Sequence, residues 1–405
     1  MSKYSLAYLG IFFLLLGILS FVNIIYSYYF NLYLNVDSYL PALIVSFSLS
    51  LMILYFKNLN TRLTIFDKIL VVIVGYLLLP IVISLPYYFS IYNISLVNSY
   101  FEAVSGFTST GFTIFNNIKQ IDESLILWRS TSQWIGGLYF LFSIILLIDI
   151  FDNNLKKSLT NFLSFNTSEV FKQSFKVFLI YSFLTLIIFF ILKLIDFRTF
   201  NALNFALTII SSGGFKPVDQ IDFLINSNLK SIIFSITLLF SFFSIFLSYN
   251  LIFVKKKHLN FFTEDFYLLF YLLFLIIILF LIIDVEFHII LLSLTSSVSN
   301  IGIFFSGYSN SHFLFLILVV IGGSFFSTSS GIRFFKIFTL IKFSINELLS
   351  HFKPKQVLSS KVIFDTTKID YNVINKYFLT ILVFILSLSL ISILLSIFDI
   401  SFESS

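Results

Sequence analysis

FEAVSGFTSTGFTIF (101–115), ALTIISSGGFKPVD (206–219) and LTSSVSNIGIFFSGYS (294–309) are three Ser/Thr/Gly-rich segments in an otherwise apolar chain. Each follows a long apolar run and a stretch too short to cross a membrane, and another long apolar run comes after it. Each places one glycine (Gly111, Gly214, Gly302) before Phe or Ile and after small polar residues; these glycines lie 103 and 88 residues apart. Small polar runs are hard to accommodate at membrane depth unless they line a water-filled path. Three in register predict a pore built from internal repeats.

Composition supports a bilayer setting. The 405 residues are 58% hydrophobic and 11% charged, with mean hydropathy +1.00. Several apolar runs exceed the roughly 18 residues that mark a spanning helix. The fold class is therefore an all-α polytopic membrane protein. The net charge of +5 comes from short loops rather than one soluble face, so it signals no nucleic acid. The apolar stretch from Ser5 to about Phe30 is too long for a secretory signal and reads as a retained helix. There is no Cys, and the four His form no metal-spaced cluster.

Spanning helices are predicted at 5–30, 38–57, 66–89, 124–150, 175–195, 229–254, 264–284, 311–345 (long and interrupted) and 373–398. Shorter helices at 94–107, 199–211 and 287–299 precede the glycine segments and enter and return from one side. The predicted division is a leading two-helix unit (1–60), pore repeats at 61–160, 161–258 and 259–350, and the first helix of an incomplete fourth repeat (351–405). Lys57, Arg62, Lys68, Lys156, Lys157, Lys172, Lys176, Lys255, Lys256, Lys257 and the bases from Arg333 to Lys361 fall on one side if the N-terminus is cytoplasmic. The glycine segments then open outward, on a face carrying Asp37, Asp122, Glu123, Asp196, Asp219, Asp222, Asp284 and Glu286. Such a vestibule would concentrate cations.

A cation filter replaces the ion's hydration shell with oxygens, which backbone carbonyls supply from an extended loop. Glycine permits the required dihedrals, and Ser and Thr hydroxyls add ligands or hold the loop. Each short helix aims its partly negative C-terminal end at the pore. The candidate filter residues are Thr108, Ser109, Thr110 and Gly111; Ser211, Ser212, Gly213 and Gly214; and Ser299, Asn300, Ile301 and Gly302. None carries a carboxylate, which suits a weakly hydrated monovalent ion such as K⁺ over a divalent one.

These motifs resemble the TrkH/KtrB/HKT superfamily of K⁺ transporters, and within it TrkH. FEAVSGFTSTGF is similar to that family's first pore loop, and LWRSTSQWIGG (127–137), with Arg129, Trp134, Gly136 and Gly137, to the helix start that follows. SSGGF (211–215) resembles the second loop, and SSVSNIGI (296–303) the third more loosely. IGGSFFSTSSGIRFFK (321–336) resembles the intramembrane loop of the third repeat. On that resemblance Gly322, Gly323, Ser327, Thr328, Ser329, Ser330, Gly331, Arg333 and Lys336 form a gating loop. The chain departs from the pattern at Phe242 and Ser244 in the sixth helix, and at Phe325, Phe326, Ser329 and Ser330 in the loop. It also shows no fourth pore loop, so the implied pseudo-four-fold pore has an incomplete fourth repeat.

Arg129 inside an apolar helix calls for a partner, Glu102 or Asp122. Arg333 either tunes the pore or snorkels to the interface. Glu264 and Asp265 read as a cap or a partner contact. The resemblance implies a K⁺ uptake subunit of the cytoplasmic (inner) membrane, a homodimer acting with a TrkA-like cytosolic nucleotide-binding regulator. It implies K⁺ as the transported ion, with no other cofactor and no enzymatic activity. Two other readings are a non-conducting or degenerate assembly subunit needing a second chain, and a membrane-embedded transferase, which the absence of a paired His/Asp/Glu motif disfavours.

Overall fold

The computed structural model describes residues 7–34, 36–55, 64–151, 170–253, 263–305, 312–352, 361–362, 365–368 and 371–397. A leading pair, α1 (Ala7–Tyr29) and α2 (Val36–Tyr55), packs together, with α1 also resting on α5 (Glu123–Phe151). Between them come α3 (Ile65–Tyr88) and the short α4 (Leu96–Phe107). Thr64 starts α3 with a capping box: its side chain accepts from the Asp67 N–H, and the Asp67 carboxylate accepts from the Thr64 N–H. Ser95 caps α4 by accepting from the Asn98 N–H.

The same unit recurs with α6 (Val170–Leu194), short α7 (Thr199–Ile210), α8 (Asn228–Phe242) and α9 (Ile245–Phe253). It recurs again with α10 (Thr263–Ile282), short α11 (Phe287–Val298), α12 (His312–Val320) and α13 (Phe334–Phe352). Between α12 and α13, β1 (Ile321–Gly322) and β2 (Ile332–Arg333) pair in parallel, Ile321 opposite Ile332 and Gly322 opposite Arg333. A small antiparallel pair, β3 (Lys361–Val362) and β4 (Asp365–Lys368), precedes α14 (Tyr371–Ser396).

Among the described residues, seven helices (α1, α2, α3, α5, α6, α10 and α14) are long and apolar enough to cross a membrane. The protein is a multi-pass, all-α membrane protein. The expected interruption of the eighth segment is present. The sixth is a correction: the predicted continuous helix over 229–254 is broken at Phe243 and Ser244.

The core is centred on α5. Tyr139 donates to the Val71 carbonyl (2.7 Å), and Gly75 of α3 leaves no room for a side chain beside the Tyr139 ring. Trp128 Nε1 donates to the Ile83 carbonyl (3.0 Å). Trp134 Nε1 donates to Thr185 Oγ1 (3.0 Å), and Tyr181 donates to the Trp134 carbonyl (3.0 Å), joining α5 to α6. By contrast α14 is exposed along most of its length, with Ile374 and Tyr377 buried near Phe335. Lys3, Lys57, Arg62, Lys156, Lys157, Lys255, Lys256, Lys257, Lys353 and Lys355 lie outside the described residues.

Candidate functional site: three loops beside one cavity

The three short helices are each 12 residues long, about 18 Å at 1.5 Å per residue. All three end in one hydrogen-bonding pattern. Thr110, Gly213 and Ile301 donate N–H to the carbonyls of Ser105, Thr208 and Ser296 (2.9, 2.7 and 3.1 Å). Ser109, Ser212 and Asn300 donate to Gly106, Ile209 and Ser297 (3.0, 3.0 and 3.1 Å). This is the Schellman termination, which needs a left-handed residue after the cap. That residue is Ser109, Ser212 or Asn300 (φ 55°, 56° and 59°). Gly111 and Gly302 do have positive φ (86° and 72°), but Gly214 does not, and the first reversal of each loop is made by a non-glycine residue.

The loops lie side by side, the second between the first and third. A Cβ on Gly111 would fall 2.7 Å from the Gly214 Cα, and one on Gly214 3.4 Å from the Ile301 carbonyl oxygen. The Ser212 hydroxyl donates to the Ser299 carbonyl, linking loops two and three. With its amide oxygen turned toward loop two, Gln133 of α5 accepts from the Gly214 and Phe215 N–H groups (both 3.1 Å). Gln133 stands among the residues of LWRSTSQWIGG that carry the resemblance, but its contact with loop two was not legible from the sequence. The residues after the three glycines differ in environment: Phe112 is 71% exposed, whereas Phe215 and Ile303 are 2% and 0%. Among the described residues, the ring of loops is open beside loop one.

Arg129 takes Glu102 as partner (Nε to Oε1, 2.9 Å), and not Asp122. Glu102 also accepts from Thr113 Oγ1 (3.0 Å) and the Ile114 N–H (2.9 Å), so the pair holds the limb that leaves loop one. The guanidinium lies 4.2 Å from the centre of the Phe215 ring, a cation–π contact with loop two. Gly136 and Gly137 let α5 approach the ends of two short helices. A Cβ on Gly136 would collide with the Phe107 carbonyl, and one on Gly137 would lie 2.9 Å from the Ser211 Cα.

The carboxylates expected to line an acidic vestibule serve instead, in several cases, as structural acceptors. Asp122 accepts from the Tyr33 N–H (3.0 Å) and from Ser124 Oγ (2.7 Å). Glu123 pairs with Arg198 (2.8 Å), and Asp219 accepts from the Ile118 N–H (2.8 Å), tying the segments that follow loops one and two. Lys216, in the loop beyond Phe215, has its pKa lowered by burial, against the opposing pull of Asp222 and Asp219.

A cavity of about 480 Å³ lies at the C-terminal ends of the three short helices. It is lined by Thr108, Ser109, Thr110, Ser211, Ser212, Asn300 and Gly302, by Gly136, Gly137 and Phe140 of α5, and by Thr328 and Ser330. The last two belong to the intramembrane loop, which thus reaches the same cavity as the candidate filter. Thr328 Oγ1 donates to the Ile210 carbonyl at the end of α7 (2.8 Å). Ser329 Oγ accepts from the Gly323 N–H (2.8 Å), and Gly331 sits at φ 86°. No side chain fits at Gly322, against the Ser330 carbonyl, or at Gly323, against the Phe242 carbonyl. Arg333 turns back into the loop instead of snorkelling away: Nη1 donates to the Ser324 and Ser329 carbonyls (both 3.0 Å) and to Ser327 Oγ (2.9 Å). Lys336, in the first turn of α13, is half-buried. Glu264 and Asp265, buried at the start of α10, reach the loop and the sixth-helix break.

No protein-family model matches the chain. It is 25% identical over 388 residues to an uncharacterized cation transporter of Methanocaldococcus jannaschii, covering 92% of this chain and 78% of that protein. Two further similarities are local. The Trk system potassium uptake protein TrkI of Halomonas elongata is 42% identical over 60 residues, 15% of this chain and 11% of its own length. The Trk system potassium uptake protein TrkG of Escherichia coli is 28% identical over 82 residues, 20% of this chain and 16% of its own. The crystal structure of the potassium transporter TrkH from Vibrio parahaemolyticus superposes with a TM-score of 0.77 at 20% identity, covering 93% of this chain and 82% of that one. The chain has the TrkH fold, and the resemblance first read from its pore loops extends along nearly all of it.

Proposed function

We propose that this chain is the membrane subunit of a Trk-type potassium transporter, passing K⁺ down its electrochemical gradient through a filter of backbone carbonyls and Ser/Thr oxygens. One observation carries this reading: three identically terminated short helices bring their C-terminal ends to three adjacent loops above one cavity. Each helix end contributes roughly half a negative charge, and the loops present neutral oxygens, so the site favours a monovalent cation over an anion. The gating loop at the cavity's other wall supplies a barrier that flux must pass. The leading pair and three pore repeats then act as one unit in the cytoplasmic membrane, N-terminus inside. The assembly is a homodimer under a cytosolic nucleotide-binding regulator of the TrkA kind. The named relatives are potassium uptake proteins and a cation transporter, which supports transport over transferase chemistry.

The test is expression in a strain lacking its own K⁺ importers. Growth at limiting K⁺ is the expected result, and no growth despite folded protein in the membrane is the contrary one. A second reading, an assembly subunit that conducts only with another polypeptide beside loop one, is favoured by the exposure of Phe112. Co-expression that restores growth would distinguish it.

A further inference from the structure

The sixth segment carries neither proline nor glycine from Asn228 to Phe253, yet it is broken, with Phe243 extended (φ −79°, ψ 162°). Sharp helix breaks usually trace to proline, to glycine, or to a group inserted into the ladder. Here the inserted groups come from the intramembrane loop. Ser329 and Ser324 donate N–H to the Ser241 and Phe242 carbonyls (both 3.1 Å), and the Ile245 N–H donates to the Phe326 carbonyl (3.2 Å). In an unbroken helix the Ser241 and Phe242 carbonyls would instead accept from Ile245 and Phe246, four residues on. The same backbone groups of the sixth segment can therefore be satisfied in two ways, with the loop seated or without it.

Two adjacent carboxylates hold the seated arrangement. Asp265 Oδ1 accepts from the Ser244 N–H at the break (2.9 Å). Glu264 Oε2 accepts from the Phe325 N–H (3.2 Å) and from Ser324 Oγ (3.3 Å) in the loop. Both side chains are buried, and a buried group that loses its hydrogen-bond partner carries its full desolvation cost. Ser324 is held from its other side by Arg333.

We infer that Glu264 and Asp265 form a clasp that positions the intramembrane loop across the cavity, and that release of the loop is coupled to closure of the sixth segment into a continuous helix. This rests on the cation-pathway reading above. Both are positioning residues: they act on flux through the loop and touch no ion.

The chain has no cysteine, so Ile236→Cys and Leu251→Cys, at exposed positions on either side of the break, give a clean spin-label pair. The full chain in liposomes is compared with Glu264→Gln/Asp265→Asn, which keeps shape and replaces each carboxyl with an amide, and with Asp265→Asn alone. Fifteen residues of unbroken helix span about 22 Å. The amide variants should populate that continuous-helix separation several-fold more than the parent and pass Rb⁺ several-fold faster, with the K⁺/Na⁺ preference unchanged. Leu247→Pro places proline in the first turn of α9, where the N–H groups have no helical acceptor in the broken form, whereas the continuous helix uses the Leu247 N–H for the Phe243 carbonyl. It should leave only the separation of the broken form and lower flux at least tenfold. Parent-like distances in both amide variants, or parent-like flux in Leu247→Pro, would overturn the clasp. If the parent itself conducts nothing, the transport reading fails, while the distances still judge the clasp.

Discussion

Arg129 Nε lies 2.9 Å from Glu102 Oε1, with the two side chains 1% and 0% exposed. The pair joins α4 to α5 and reaches both Thr113 and the Phe215 ring, so one buried charge pair sets loops one and two against each other. Removing one member of a buried pair leaves the other uncompensated, at a cost of about 3–5 kcal/mol. Arg129→Leu and Glu102→Leu should therefore each lower the thermal midpoint of the purified protein sharply and reduce its membrane yield. The double substitution should be milder than either alone. Equal midpoints for single variants and parent would remove the pair from this role.

Gly111 and Gly302 share a positive φ but not the same surroundings. Left-handed backbone costs an L-residue roughly 1–2 kcal/mol, and that is the whole expected effect at Gly302, where a Cβ meets nothing within 4 Å. At Gly111 the Cβ also meets the Gly214 backbone at 2.7 Å. Gly111→Ser should thus weaken K⁺/Na⁺ discrimination more than Gly302→Ser. Ion-replacement currents or competitive Rb⁺ uptake would measure the order, and the reverse order would count against this filter geometry.

Gly136 touches a carbonyl rather than a movable side chain, so the neighbour cannot give way cheaply. Gly136→Ala should push α5 from the end of α4 and cost folded protein, seen as loss of the monodisperse peak in size-exclusion chromatography. Gly10, whose Cβ would meet only side-chain atoms of Leu54 and Ile53, should accept alanine with a much smaller change.

Thr328→Val keeps the side chain's shape and removes its hydrogen bond to the Ile210 carbonyl. A bond of this kind contributes about 0.5–1.5 kcal/mol, so the seated loop should be weakened by up to roughly tenfold and basal Rb⁺ flux should rise accordingly. A fall in flux would mean that the bond supports the conducting state instead.

Much of this architecture is legible in the chain. Ser/Thr/Gly runs stand out against long apolar stretches, so the short helices and loops were placed within a few residues, and Arg129 announced a buried partner. What was illegible depends on distant groups. SFFSIF (241–246) contains nothing that ends a helix, and the break exists because Ser324 and Ser329, more than 80 residues away, supply N–H groups to it. Asn300 and the two serines that share its left-handed backbone resemble ordinary filter residues until the Schellman hydrogen bonds are seen. Arg333 was ambiguous because snorkelling and loop binding place its Cα alike, and only the accepting carbonyls separate them.

The most direct test of the central claim is ⁸⁶Rb⁺ uptake into liposomes holding the purified chain and a trapped K⁺ gradient. The account predicts accumulation that external K⁺ suppresses far more effectively than Na⁺, and weaker preference in Gly111→Ser. Folded, membrane-inserted protein that accumulates no Rb⁺, or uptake that Na⁺ and K⁺ suppress equally, would contradict it.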